Sequence, residues 1–125
     1  MEALGRHYLA EYHGCDPALI DDPAHLERLM RDAALGAGAT IVQSFFHRFN
    51  PHGVSGVIII AESHFTIHCW PERGYAAADF FSCGPVDALS ALNLLGDGVA
   101  ATSRSISSIE RGGGVTAPGG MRDLA

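Results

Sequence analysis

The sequence predicts an α+β fold: a two-layer α/β sandwich whose largely antiparallel sheet carries two helices on one face. Six segments are β-rich or alternate apolar with polar side chains, and two segments repeat apolar residues at helical spacing. Tight turns rich in Gly and Pro join the middle strands, and strands joined that way run antiparallel. With both helices on one face the other face of the sheet stays uncovered, which favours dimerisation.

The elements follow in order. Arg6 to Cys15 alternates around Tyr8, Ala10 and Tyr12 and closes at Gly14, a strand and its turn. Asp22 can cap a helix, Pro23 suits its first turn, and Leu26, Leu29, Met30, Ala33 and Ala34 recur at helical spacing before Gly36 and Gly38. "ATIVQSFFHRFN" is β-rich, and "PHGVSG" turns it into the apolar run "VSGVIIIA", which predicts a hairpin by turn chemistry. "SHFTIHCW" alternates again, and "GYAAADFFSCG" is a strand between Gly74 and Gly84. "PVDALSALNLLGDG" reads as a short helix with Pro at its start and Gly at its end. "VAATSRSISSIER" is a last strand in which Ile106 and Ile109 fall out of phase.

A chain of 125 residues, 47% hydrophobic, suits one domain, expected over 1–111, with the Gly-rich 112–125 read as a disordered tail. The formal charge is −6 and all eight basic residues are scattered Arg, so no basic stripe for nucleic acid is present. No run approaches the ~18 apolar residues of a membrane span, and no export signal is evident, so the expected location is cytoplasmic. There is no lysine in the sequence, which excludes a pyridoxal phosphate aldimine on this chain. Cys15, Cys69 and Cys83 are odd in number and widely spaced, which argues against a disulfide framework and leaves room for a chemically used thiol.

Strand alternation over "SHFTIHCW" puts His64, Thr66 and His68 on one face and Phe65, Ile67 and Cys69 on the other. Tetrahedral zinc needs four convergent ligands, which this parity denies, so no metal is expected. Glu62-Ser63 lacks the flanking glycines of a hydrolase nucleophile elbow. It offers instead a hydroxyl at the end of an apolar strand, beside its own upstream carbonyl, where a serine can attack the preceding peptide bond.

The stretch "HRFNPHGVSGVIIIAESHFTIHCWPERGYAAADFFSCG", with "GRHYLAEYHGCDP" and "AALGAGATIVQSFFHRF", resembles the prokaryotic S-adenosylmethionine decarboxylases, pyruvoyl-dependent enzymes of spermidine biosynthesis. The resemblance covers roughly residues 4 to 84. It implies a proenzyme cut between Glu62 and Ser63 into a β chain, 1–62, and an α chain, 63–125. It further implies that Ser63 becomes the covalent pyruvoyl group that forms a Schiff base with substrate, assisted by Ser55, with His68 as proton acceptor during processing. Cys83 is then the proton donor in catalysis; a thiol, with an ordinary pKa of about 8.5, is mostly protonated at neutral pH. Glu72 and Phe49 match the positions that hold the ribose hydroxyls and the adenine of S-adenosylmethionine, and the implied assembly is a dimer of αβ units.

Each residue also has a plain structural reading. Ser63 suits a turn, His68 a hydrogen-bonded strand histidine, Phe49 the core, and Glu72 a solvated strand end. Cys15 and Cys69 are assigned to the core. The chain departs from the family pattern at Cys69, where Thr or Ser is usual, and in the segment after Gly84. A pyruvoyl-dependent arginine or ornithine decarboxylase is the alternative enzyme, since Glu72 can pair with a cationic side chain. A non-catalytic homologue that never processes is the third reading, against which stands the joint presence of Glu62, Ser63, His68 and Cys83.

Overall fold

The six alternating segments pair into one sheet. A computed structural model describes residues 3–114, running β1 (Gly5–His13), α1 (Pro23–Gly36), β2 (Thr40–Arg48), β3 (Val54–Ala61), β4 (Ser63–Trp70), β5 (Tyr75–Ser82), α2 (Ala88–Gly98) and β6 (Ser103–Arg111). The spatial order is β2-β3-β4-β5-β1-β6, and every neighbouring pair is antiparallel. The α+β sandwich expected from the sequence is the observed architecture. The Gly-rich tail expected to be disordered lies outside the described residues from 115 onward.

Alternation decides which side chains form the core. Tyr12, Ile58, Phe65, Ile67 and Phe80 come from one face of the sheet and are fully buried together with Leu26, Met30, Leu92 and Leu95 of the helices. Asp22 caps α1 by accepting from the amides of Ala24 and His25, at 3.1 and 3.2 Å. At α2 the start, Ala88, lies three residues further on than Pro85 suggests: Asp87 is the cap and accepts from the Ser90 amide at 3.1 Å. The Tyr12 hydroxyl donates to the Leu92 carbonyl at 2.6 Å, which ties β1 to α2.

Two details bear on function. Ile106 and Ile109 are three apart in a strand, an odd number, so Ile106 packs towards the helices while Ile109, paired with His7, is 54% exposed on the open face. The run Val57–Ile60 is not buried throughout as its composition suggests. Ile58 and Ile60 are in the core, whereas Ile59 is 46% exposed on the open face, alongside Phe45 and Leu9. A strand apolar on both faces reads as covered on both faces, and one chain covers only one.

Candidate active site

The connection between β3 and β4 is as short as a hairpin allows. Ile60 pairs with Ser63, so Ala61 and Glu62 are the two-residue tip, and Glu62 is exposed. The ladder continues from that pair to Ser55 opposite His68, so strand pairing would hold the two sides together if the tip were cut. The Ser63 Oγ is buried and has no hydrogen-bond partner, alone in this respect among the described residues. Leaving a buried hydroxyl unsatisfied costs about 1–3 kcal/mol. An oxygen placed without a partner beside the Glu62 peptide fits a precursor whose oxygen is consumed, and so fits a pyruvoyl group made at this residue.

Glu62, Ser63 and Cys83 line one cavity of about 260 Å³, closed on its helix side by Gly38, Pro85 and Val86. The turn carrying Cys83 is fixed by Ser82, whose buried hydroxyl donates to the Gly84 carbonyl at 3.1 Å, and by the Asp87 amide donating to Ala37 at 3.0 Å. The Cys83 side chain is exposed, as a thiol serving a cavity must be. Cys15 and Cys69 are buried as expected, and burial, reinforced by the nearby Cys15, pushes the Cys69 thiol up to about 12.

The remaining residues singled out from the sequence gather elsewhere. Phe49, Ser55, His68 and Glu72 line a second cavity of about 260 Å³ together with His52 and Trp70. Ser55 Oγ lies 2.8 Å from His68 Nδ1, and Glu72 lies 3.3 Å from His52 Nε2. Phe49 is 48% exposed and meets His47 edge-on at 4.6 Å between ring centres. Its hairpin is held by Asp21, which pairs with Arg48 at 2.8 Å and accepts from the Gly53 amide at 2.8 Å. An adjoining apolar groove of about 380 Å³ runs along the open face past Phe45, Val57 and Thr66. His47, His52 and Trp70 carried no signal in the sequence.

The two groups are too far apart to react within one chain. Ser63 and His68 are five residues apart on β4, about 17 Å at ~3.3–3.4 Å per residue. They also face opposite sides, Ser63 in phase with the buried Phe65 and Ile67, His68 in phase with His64 and Thr66 on the open face.

A third cluster was not read from the sequence. The Asp79 carboxylate, on β5, accepts from Thr66 Oγ1, from His7 Nε2 at 2.6 Å and from His64 Nε2 at 3.3 Å. Its ligand atoms lie within 4.8 Å of one another, close enough for a cation. However, Arg111 Nη1 donates to His7 Nδ1 at 3.2 Å, so the His7 proton sits on Nε2 and fills the position a metal would need. Burial alone would raise the Asp79 pKa; the hydrogen bonds from Thr66 and His7, and the neighbouring His64, outweigh it and hold the carboxyl below the ordinary range. A carboxyl depressed on folding stabilises the protein above its unfolded value of about 3.9 and loses that contribution as pH falls through the folded value. The urea midpoint should therefore fall as pH drops below about 4, and Asp79→Asn should flatten that decline; an unchanged decline would contradict it.

Comparison with known proteins places the chain in a family. Residues 6–112 match the family model described as S-adenosylmethionine decarboxylase. The S-adenosylmethionine decarboxylase proenzyme of Clostridium tetani is 49% identical over 113 residues, covering 90% of each chain. That of Caldanaerobacter subterraneus subsp. tengcongensis is 47% identical over 113 residues, covering 90% of this chain and 91% of the relative. The crystal structure of the adenosylmethionine decarboxylase from Aquifex aeolicus superposes with a TM-score of 0.83 at 34% identity, covering 90% of this chain and 93% of that one. The fold and the matched family define a decarboxylase of the pyruvoyl-dependent type, whose relatives are named proenzymes. The chain belongs to the S-adenosylmethionine decarboxylase family, and the arginine or ornithine alternative is not favoured. No helix among the described residues is long and apolar enough to cross a membrane.

Proposed function

We propose that two copies of this chain pack open face to open face and that each completes the other's site, cutting Glu62–Ser63 and then decarboxylating S-adenosylmethionine in the cytoplasm. The observation that carries this is the unpartnered, buried Ser63 Oγ at the tip of the β3–β4 hairpin. A two-fold axis near the middle of β4, between Phe65 and Thr66, exchanges the ends of that strand. It brings His68 and Ser55 of one copy to residue 63 of the other, and covers Leu9, Phe45, Ile59 and Ile109, which one chain leaves exposed.

Processing uses the chain's own groups. Ser63 Oγ attacks the Glu62 carbonyl carbon, the bond to the residue 63 nitrogen breaks, and an ester replaces the amide. The partner's His68, its Nδ1 held 2.8 Å from Ser55 Oγ, turns Nε2 to take the Cα proton of residue 63. The Glu62 carboxylate leaves, a double bond forms between Cα and Cβ, water adds, and ammonia departs. The products are a β chain, 1–62, and an α chain, 63–125, with a ketone at residue 63.

The pyruvoyl ketone supplies the electron sink that decarboxylation of an α-amino acid requires. Around it, Phe49 offers an aromatic face to adenine, Glu72 accepts hydrogen bonds from the ribose hydroxyls, and Cys83 delivers the proton that replaces CO2. Mass spectrometry of the purified protein should show two fragments, the second blocked at residue 63, and CO2 should be released from S-adenosylmethionine in preference to arginine or ornithine. An uncut chain, or a preference for either amino acid, would overturn the proposal.

A further inference from the structure

The Asp79 cluster has no part in the steps above, yet it is tied to His64, one residue beyond Ser63. His64 is the second residue of the α chain, and its amide nitrogen joins it to residue 63. Before cleavage the hairpin tip holds it covalently. Afterwards it becomes the penultimate residue of a free strand end, and free ends fray unless tied down. Its side chain reaches over β5 to Asp79, which also takes His7 from β1 on the far side, so the cluster spans three adjacent strands. Arg111 fixes the His7 tautomer from behind, and Thr66 occupies the other carboxylate oxygen.

The same cluster touches the Cys83 side. Phe81, opposite both His64 and His7, packs against both rings at 5.8 and 5.2 Å between centres, while the two imidazoles meet edge-on at 5.7 Å. Phe81 packs against Gly5 so closely that a Cβ there would stand 2.7 Å from Phe81 Cε1 and 3.2 Å from Cys83 Sγ. One packed unit thus carries His64, the neighbour of residue 63, and borders the thiol.

We propose that Asp79, with His7 and Arg111 behind it, is a positioning device that clamps His64 after cleavage and so holds residue 63 in place for Cys83. This rests on the processing reading above. Asp79 borders a shallow cavity with Thr66 and His68, but its hydrogen bonds go to Thr66, His7 and His64, and its effect on residue 63 passes through His64. With side chains 36%, 21% and 16% exposed, His64, Asp79 and His7 form a clamp that water reaches only in part.

The test compares His64→Ala in two backgrounds, the self-cleaving chain and the uncut Ser63→Ala chain, by hydrogen exchange of the amides of residues 64–66 and by steady-state kinetics. In the cut enzyme exchange should rise tenfold or more and kcat should fall tenfold or more with KM within twofold. In the uncut chain exchange should change less than threefold, because the covalent hairpin already holds the strand. Asp79→Asn should reproduce both effects, and the double variant should be no worse than either single one. Thr66→Ser, which keeps the hydroxyl donor, should behave as the parent. Equal acceleration in cut and uncut chains, or none in either, would overturn the clamp while leaving processing intact. An uncut parent chain, seen first in the mass spectrum, would overturn the processing reading and the clamp with it.

Discussion

Ser63→Ala should run as a single uncut chain, with no detectable decarboxylation. The expectation is absolute because the substitution removes the only atom that can open the Glu62 carbonyl from within the hairpin and also the precursor of the ketone. The lack of lysine in the sequence leaves no amine side chain to build a substitute electron sink. The fold should survive. The lost hydroxyl makes no hydrogen bond, and relieving a buried, unsatisfied oxygen should leave stability unchanged or raise it by about 1–3 kcal/mol. A circular dichroism melt beside a denaturing gel checks both parts: a cut chain, or an uncut chain that no longer folds, would contradict the role given to Ser63.

Cys83→Ala should cut normally and turn over poorly. General acid catalysis contributes typically 10²–10⁴-fold, so kcat should fall by about that factor, about 3–5 kcal/mol on the barrier. The thiol lies in the cavity that holds Ser63, on a turn fixed by Ser82 and Gly84, and removing Sγ leaves those backbone contacts in place. With the donor gone the proton can arrive at a wrong carbon, so inactivated enzyme and an aldehyde by-product should accumulate during turnover. Intact-mass analysis after a timed incubation measures both. Failure to cut would show that the thiol belongs to processing instead.

Much of the fold was legible because it is written locally. Alternation marks the strands, Asp22 with Pro23 marks the start of α1, and the two-residue tip at Ala61 and Glu62 follows from the abrupt change of character after Ile60. The strand order was less accessible, since β1 pairs with β5 some 70 residues along the chain, Tyr8 opposite Phe80, and nothing local specifies that. The motif named the candidate site residues individually but not their separation. Yet parity contained it: positions 63 and 68 differ by an odd number and must face opposite sides of one strand. Asp79 also left a trace. An acid in the middle of "YAAADFFS", a strand otherwise without charge, has to find partners, and Thr66, His7 and His64 are those partners. The exposed Ile59 in an apolar run is the trace of the open face on which the proposed second chain would pack.

The claim that each copy completes the other's site is tested most directly by mixing two defective chains. Ser63→Ala cannot be cut, and His68→Ala alone should remain uncut because its partner lacks the base. Co-expressed with distinguishable tags, the mixed dimer holds one intact Ser63 facing one intact His68. The tagged His68→Ala chain should then be cut at Glu62–Ser63, while the Ser63→Ala chain stays whole. If the His68→Ala chain stays uncut in verified mixed dimers, or is cut on its own, His68 does not act across the dimer.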